Sequence, residues 1–156
     1  MRDEKFTEYV RKYSAAVYRA AYSCTGSRPD SEDIMQETFL RLYQSGKLFR
    51  DDEHVKAWLI RVAINRARDI LRSNKRKQAE GSQLDENTAA DSAAFTDDLD
   101  EAMKALPEEY RIAVYLQYYE GYGVKDIARI MRISEANAKI RLKRARDRLR
   151  AFLTDE

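Results

Sequence analysis

The chain has 156 residues, 44% of them hydrophobic, and its 29 Lys and Arg against 27 Asp and Glu leave a net charge of +2. That is enough for one modest domain or two small ones with a genuine core, and no apolar run approaches the ~20 residues that a membrane helix needs. The N-terminal "MRDEKFTEYV" lacks a signal-peptide hydrophobic region, and one cysteine (Cys24) with one histidine (His54) excludes an internal disulfide and a Cys/His metal cluster; Cys-His catalysis is not expected, and the chain reads as a folded cytoplasmic protein without a metal.

Taken in chain order, Phe6, Tyr9, Val10, Tyr13, Ala16, Val17 and Ala20 recur at helical spacing, which predicts an amphipathic helix from Glu4 to about Ser23. After "TGSRPD", Asp30 or Ser31 suits the N-cap of a second helix, with Ile34, Thr38 and Leu42 as its core stripe and Gly46 as its stop. The loop "GKLFRDDEH" follows. A third helix is predicted from Val55 to about Asn74, with Val55, Trp58, Leu59, Val62, Ala63, Arg66 or Ala67, Ile70 and Leu71 inward and Arg61, Asn65, Arg68, Asp69 and Arg72 outward. From Lys75 the chain turns polar and loses its periodicity, as a flexible linker does. A short helix over Leu99 to Leu106 is expected next, then one starting at Pro107 and stopped by Gly121, with Tyr110, Ala113, Val114, Leu116 and Tyr118 partly inward. Two more helices, Val124 to Met131 and one capped by Ser134, are separated by Arg132 and Ile133. No strand pattern or internal repeat is visible. The expected fold is all-α: two small helical domains, residues 1–78 and 99–156, joined by a flexible acidic linker over 79–98, with a helix-turn-helix in the second.

The near-neutral total hides segregated charge. Residues 1–78 hold 17 Lys/Arg and 11 Asp/Glu, residues 79–109 hold 1 and 10, and residues 124–150 hold 10 and 3, so nets of +6, −9 and +7 follow one another. Two basic blocks around an acidic one suit a chain whose ends approach a polyanion. In the last pair of helices, Ile127, Ala128, Met131, Ile133, Ala138, Leu142, Ala145 and Leu149 face inward, which leaves Glu135, Asn137, Lys139, Ile140, Arg141, Lys143 and Arg144 outside. A second helix so exposed fits a DNA major groove, where Arg and Lys bond to guanine or phosphate and Asn to adenine. Arg146, Arg148 and Arg150 lie where such a helix leaves the groove. Arg132 stands where glycine is usual at the turn. The paired acids of "SEDIMQE" and "DDLDE" are joined by no nucleophile, metal set or phosphate loop, so no catalytic residue, cofactor or small-molecule substrate is expected.

Three blocks, "SEDIMQETFLRLYQ", "AWLIRVAINRARDILRSNKR" and "LPEEYRIAVYLQYYEGYGVKDIARIMRISEANAKIRLKRARDRL", in this order and spacing resemble the extracytoplasmic-function sigma factors, specificity subunits of bacterial RNA polymerase in the sigma-70 superfamily. The resemblance implies that the first block docks on the clamp helices of the largest subunit of core polymerase, through Asp33, Gln36 and Glu37. The second block then recognises and melts the −10 region as single strand, with Asn65 near a pocket for an extruded base and Phe49 as a wall of it. Arg61, Arg68, Arg72, Lys75 and Arg76 would hold phosphates there. Trp58 matches the family as well, but its place on the apolar stripe assigns it to the core. The third block would read the duplex −35 element through Asn137, Lys139, Ile140, Arg141, Lys143 and Arg144. By the same resemblance the acidic segment from Glu80 to Glu101 passes near the polymerase active-site cleft, mimicking nucleic-acid charge, or serves as a plain tether. An anti-sigma factor is implied as a further partner. Neither a substantial extension after Glu156 nor an extra C-terminal regulatory domain is expected. The competing readings are a dimeric helix-turn-helix repressor or activator, which leaves the basic block around Asn65 without a task, and a sigma mimic that binds polymerase without initiating.

Overall fold

The computed structural model describes residues 3–47, 49–79 and 98–154, and every regular element among them is an α-helix. The chain divides into two compact units. The first holds α1 (Asp3–Thr25), α2 (Arg28–Ser45) and α3 (Asp52–Ala79), each packed against the other two.

Asp3 and Glu4 complement the helix dipole at the start of α1, whose inward stripe Tyr9, Tyr13, Ala16, Val17, Ala20, Ala21 and Cys24 is buried. Gly26, with φ 64°, ends it in the left-handed region that favours glycine. Two residues later α2 begins, earlier than the sequence suggested. Ser27 is the N-cap, accepting a hydrogen bond from the Asp30 N–H at 3.3 Å, and Pro29 lies in the first turn, where its missing N–H costs nothing. Asp30 and Ser31 are therefore inside the helix, and the Ser31 hydroxyl is buried, donating to the Ser27 carbonyl at 2.6 Å. Ile34, Thr38 and Leu42 of the expected stripe are buried, with Phe39 beside them, and the Thr38 hydroxyl has no hydrogen-bond partner among the described residues.

The third helix is longer than its apolar pattern. Asp51 accepts from the His54 N–H at 3.0 Å and so caps it at the front, while Arg76 and Lys77 favour its continuation to the negative C-terminal end at Ala79. Its buried face is also rotated from expectation. Val55, Leu59, Ile60, Ala63, Ile64 and Ala67 are buried, whereas Trp58, Val62, Ile70 and Leu71 are half-buried. Apolar residues surround this helix almost completely between positions 58 and 64, so contact with α1 and α2 decides which go inside. Tyr13 donates to the Asp52 carbonyl at 3.1 Å, and Lys12 pairs with the Asp52 carboxylate, locking α1 to the start of α3. Phe6 packs edge-on against Tyr43, with ring centroids 5.0 Å apart, locking α1 to α2.

The second unit comprises α4 (Asp98–Ala105), α5 (Glu108–Tyr118), α6 (Val124–Met131) and α7 (Glu135–Thr154), with α7 packed on the other three. Ile112, Ala113, Leu116, Ile127, Met131, Ala138, Leu142 and Ala145 have almost no exposure. Each large aliphatic side chain so enclosed contributes roughly 1.5–3 kcal/mol. Pro107 precedes the first turn of α5. The helix ends at Tyr118, and Gly121 at φ 75° turns the chain so that the Tyr122 N–H reaches the Leu116 carbonyl at 3.0 Å. Tyr118 is not core: it is 62% exposed, and Ile112 and Tyr115 fill the interior in its place. The expected linker lies outside the described residues between Ala79 and Asp98.

Candidate nucleic-acid interface

Helices α6 and α7 are joined by three residues. Arg132 adopts φ 59° and ψ 48°, its N–H bonds back to the carbonyls of the preceding turn, and the Ile133 N–H reaches the Ala128 carbonyl at 3.0 Å. Ser134 caps α7 by accepting from the Asn137 N–H at 3.0 Å. Ala128 is buried, and a small inward residue there suits the close approach of two helices in such a motif. Arg132 carries the left-handed conformation at a cost of about 1 kcal/mol. Arg132→Gly is expected to raise unfolding stability of the second unit by up to about 1 kcal/mol, read by denaturant melts, and to weaken DNA binding by the loss of one cation.

On α7 the stripe Ala138, Leu142, Ala145 and Leu149 is buried. With about 100° of turn per residue, the positions farthest from that stripe over residues 135–151 are Ala136, Ile140, Asp147 and Ala151, flanked on either side by Lys143 and Arg144. Ile140 is 45% exposed there, an apolar group aimed outward in the middle of a basic surface. Asn137 and Lys139 are exposed beside it, and Lys139, Lys143 and Arg144 have no partner among the described residues. Arg141 differs: it lies on the flank, half-buried, with its Nη1 shielded from water and unbonded. Arg146 and Arg148 are drawn into the unit itself, the first donating to Gln117 at 3.4 Å and the second lying 5.1 Å over the Tyr110 ring. Sequence reading missed a further row, Lys125, Arg129 and Arg132, exposed along α6 at spacings of four and three. That spacing was the available signal; the first helix of such a motif crosses the DNA backbone.

In the first unit, Arg61, Asn65, Arg68, Arg72 and Lys75 recur every three or four residues, with Arg76 next to the last, and together they occupy one side of α3 over about 22 Å. Arg61, Asn65 and Arg68 are half-buried, and the others are exposed. Trp58, two turns before Asn65, belongs to this side and not to the core. Phe49 meets it edge-on with ring centroids 5.9 Å apart, and the Lys47 ammonium lies 5.5 Å over its ring. The loop thus brings Phe49 to the N-terminal end of the α3 stripe, against an aromatic partner that apolar periodicity had placed inside. Asp51 closes the same loop; its carboxyl is held below the usual carboxylate range, chiefly by the His54 side-chain hydrogen bond at 2.7 Å.

On α2, Asp33 and Gln36 are exposed and Glu37 is half-buried. The same helical face continues through Leu40, 54% exposed, and Tyr43, 46% exposed. An acidic and amide-bearing face with an apolar continuation suits a partner helix that is basic and amphipathic. Tyr43 donates to Asp3 at 3.2 Å, and that bond raises the pKa of its phenol. Glu37 accepts a 2.8 Å hydrogen bond from Arg66 Nε on α3.

Two family models match the chain, Sigma-70 region 2 over residues 9–77 and Sigma-70, region 4 over residues 96–149. The ECF RNA polymerase sigma factor SigM of Bacillus subtilis (strain 168) is 36% identical over 152 residues, spanning 93% of this chain and 93% of that protein. SigW of the same strain is 27% identical, over 97% of this chain and 90% of its own. Among solved structures, the sigma factor RpoE of Bartonella quintana, crystallised with the anti-sigma factor NepR, superposes with a TM-score of 0.79 at 22% identity, covering 98% of this chain and 99% of that one, and shares the fold. The chain belongs to the extracytoplasmic-function sigma factors of the sigma-70 family, and its function is that of an RNA polymerase sigma factor.

Proposed function

We propose that the two units divide the work of initiation, with α2 docking on core polymerase, α3 holding the melted −10 strand and α7 reading the duplex −35 element. The observation that carries this reading is the outward arc of α7: Asn137, Lys139, Ile140, Lys143 and Arg144 stand together on the side opposite a fully buried stripe. Arg144 and Lys143 supply donors for guanine or phosphate, Asn137 suits adenine, and Ile140 suits the methyl group of thymine. The α3 stripe suits a single strand, because its cations follow one another along a line and an aromatic group lies at one end of it. On α2, Asp33, Gln36 and Glu37 supply the polar contacts to the clamp helices of the largest subunit, and Leu40 with Tyr43 supplies apolar area.

The protein binds and positions without catalysing a reaction, and it acts in the cytoplasm, where polymerase and promoter are. The crystallised relative bound to an anti-sigma factor supports a similar inhibitory partner for this chain. The test is run-off transcription with purified core polymerase on genomic promoter fragments, with and without the protein. Transcripts that appear only with it are the expected result. Polymerase binding without transcripts would favour the non-initiating mimic, and duplex binding without polymerase binding would favour a repressor.

A further inference from the structure

Glu37 is placed between two functions. It belongs to the α2 face assigned above to polymerase, yet its carboxylate is engaged from behind by α3. Arg66 Nε donates to Glu37 Oε2 at 2.8 Å, and both side chains are 39% exposed. The other oxygen, Oε1, is 3.9 Å from Arg41 Nη2, beyond hydrogen-bond distance, and no other described residue bonds to it. One carboxylate oxygen is therefore fixed and the other is left open to a donor.

We propose that Arg66 is a positioning residue for polymerase docking: it holds the Glu37 carboxylate so that Oε1 meets a cationic or N–H donor of the partner helix. This rests on the assignment of the α2 face to core polymerase. Two opposing effects decide its sign. The Arg66 charge offsets part of the attraction that Glu37 offers to a basic partner, but this is a half-exposed pair, where solvent weakens Coulomb terms. Against it, an unrestrained glutamate must be immobilised on docking, and a side chain already held avoids that loss. A carboxylate accepts several hydrogen bonds, so the partner need not displace Arg66. The restraint outweighs the charge, and Arg66 strengthens docking although it is itself a cation. The same bond ties the docking helix to α3 one residue after Asn65, so a polymerase contact at Glu37 bears on the helix that carries the −10 stripe.

The test is a double-mutant cycle on the full chain with cognate core polymerase, reading affinity by fluorescence anisotropy and folding by thermal melts. Arg66→Ala is expected to weaken core binding about two- to tenfold, the range for freeing one rotamer-rich side chain. In a Glu37→Gln background that loss should shrink or vanish, and Arg66→Lys should recover part of the affinity. Tighter binding by Arg66→Ala would mean that Arg66 competes with polymerase, and an undiminished loss in the Glu37→Gln background would mean a purely structural role; either overturns the proposal while leaving the docking face intact. If Glu37→Gln and Asp33→Ala both leave core affinity unchanged in folded protein, the docking face itself is misplaced and the positioning role falls with it.

Discussion

Arg144→Ala is expected to weaken binding to the −35 duplex by about 10- to 100-fold and to relax preference at one base position, the loss for a bidentate base contact of roughly 1–3 kcal/mol. Arg144 lies on the outward arc of α7 and holds no partner among the described residues, so its guanidinium is free to enter the groove. Arg141 serves as the contrast. It sits on the flank with a shielded, unbonded nitrogen, so its removal relieves a desolvated donor in the free protein. Arg141→Ala should leave thermal stability unchanged or slightly higher, weaken all duplexes to a similar degree, and lower the salt dependence of binding by about one ion. Binding measurements on a −35 duplex and its single-base variants at several salt concentrations separate the two. If Arg141→Ala alters base preference and Arg144→Ala does not, the orientation of the arc is wrong.

The contrast between these two arginines also marks what the sequence discloses. Helix α6 and the Ser134-capped start of α7 were legible to the residue, because capping and a 3.6-residue apolar period are local signals. The start of α2 was less so: "SRPDS" offers three capping side chains, and only the place of Pro29 in the first turn favours Ser27. The face of α3 was legible only in part: Val55, Leu59, Ala63 and Ala67 are inward as expected, but Trp58, Leu59, Ile60, Val62, Ala63 and Ile64 are all apolar and the choice among them is made by α1 and α2. Phe49 and Asn65 were singled out by family resemblance alone, whereas Trp58, the residue that Phe49 packs against, was assigned to the core by periodicity. Glu37 and Arg66 stand 29 residues apart, and nothing local to either announces the bond between them.

Asn65→Ala is expected to reduce open-complex formation by about 5- to 100-fold while leaving binding to core polymerase and to the −35 duplex intact. Asn65 is half-buried in the middle of the α3 stripe, between Arg61 and Arg68, and on the same side as Trp58. A short amide held partly out of water by its own helix can bond to the edge of a base that has left the stack. Unstacking costs a few kcal/mol, and the pocket must return that energy for melting to proceed. Losing one such contact removes roughly 1–3 kcal/mol of it. The location of the contact is tested by comparing a duplex promoter with one carrying a pre-melted −10 bubble, using permanganate reactivity and abortive initiation as readouts. A group that holds the extruded base is missed equally on both templates, because the captured state is the same. A group that acts only while the duplex opens is missed on the duplex alone. Equal loss on the two templates, with unchanged core affinity, places Asn65 at the captured base; a defect rescued by the bubble assigns it to the opening step, and a parallel loss of core affinity assigns it to the packing of α3.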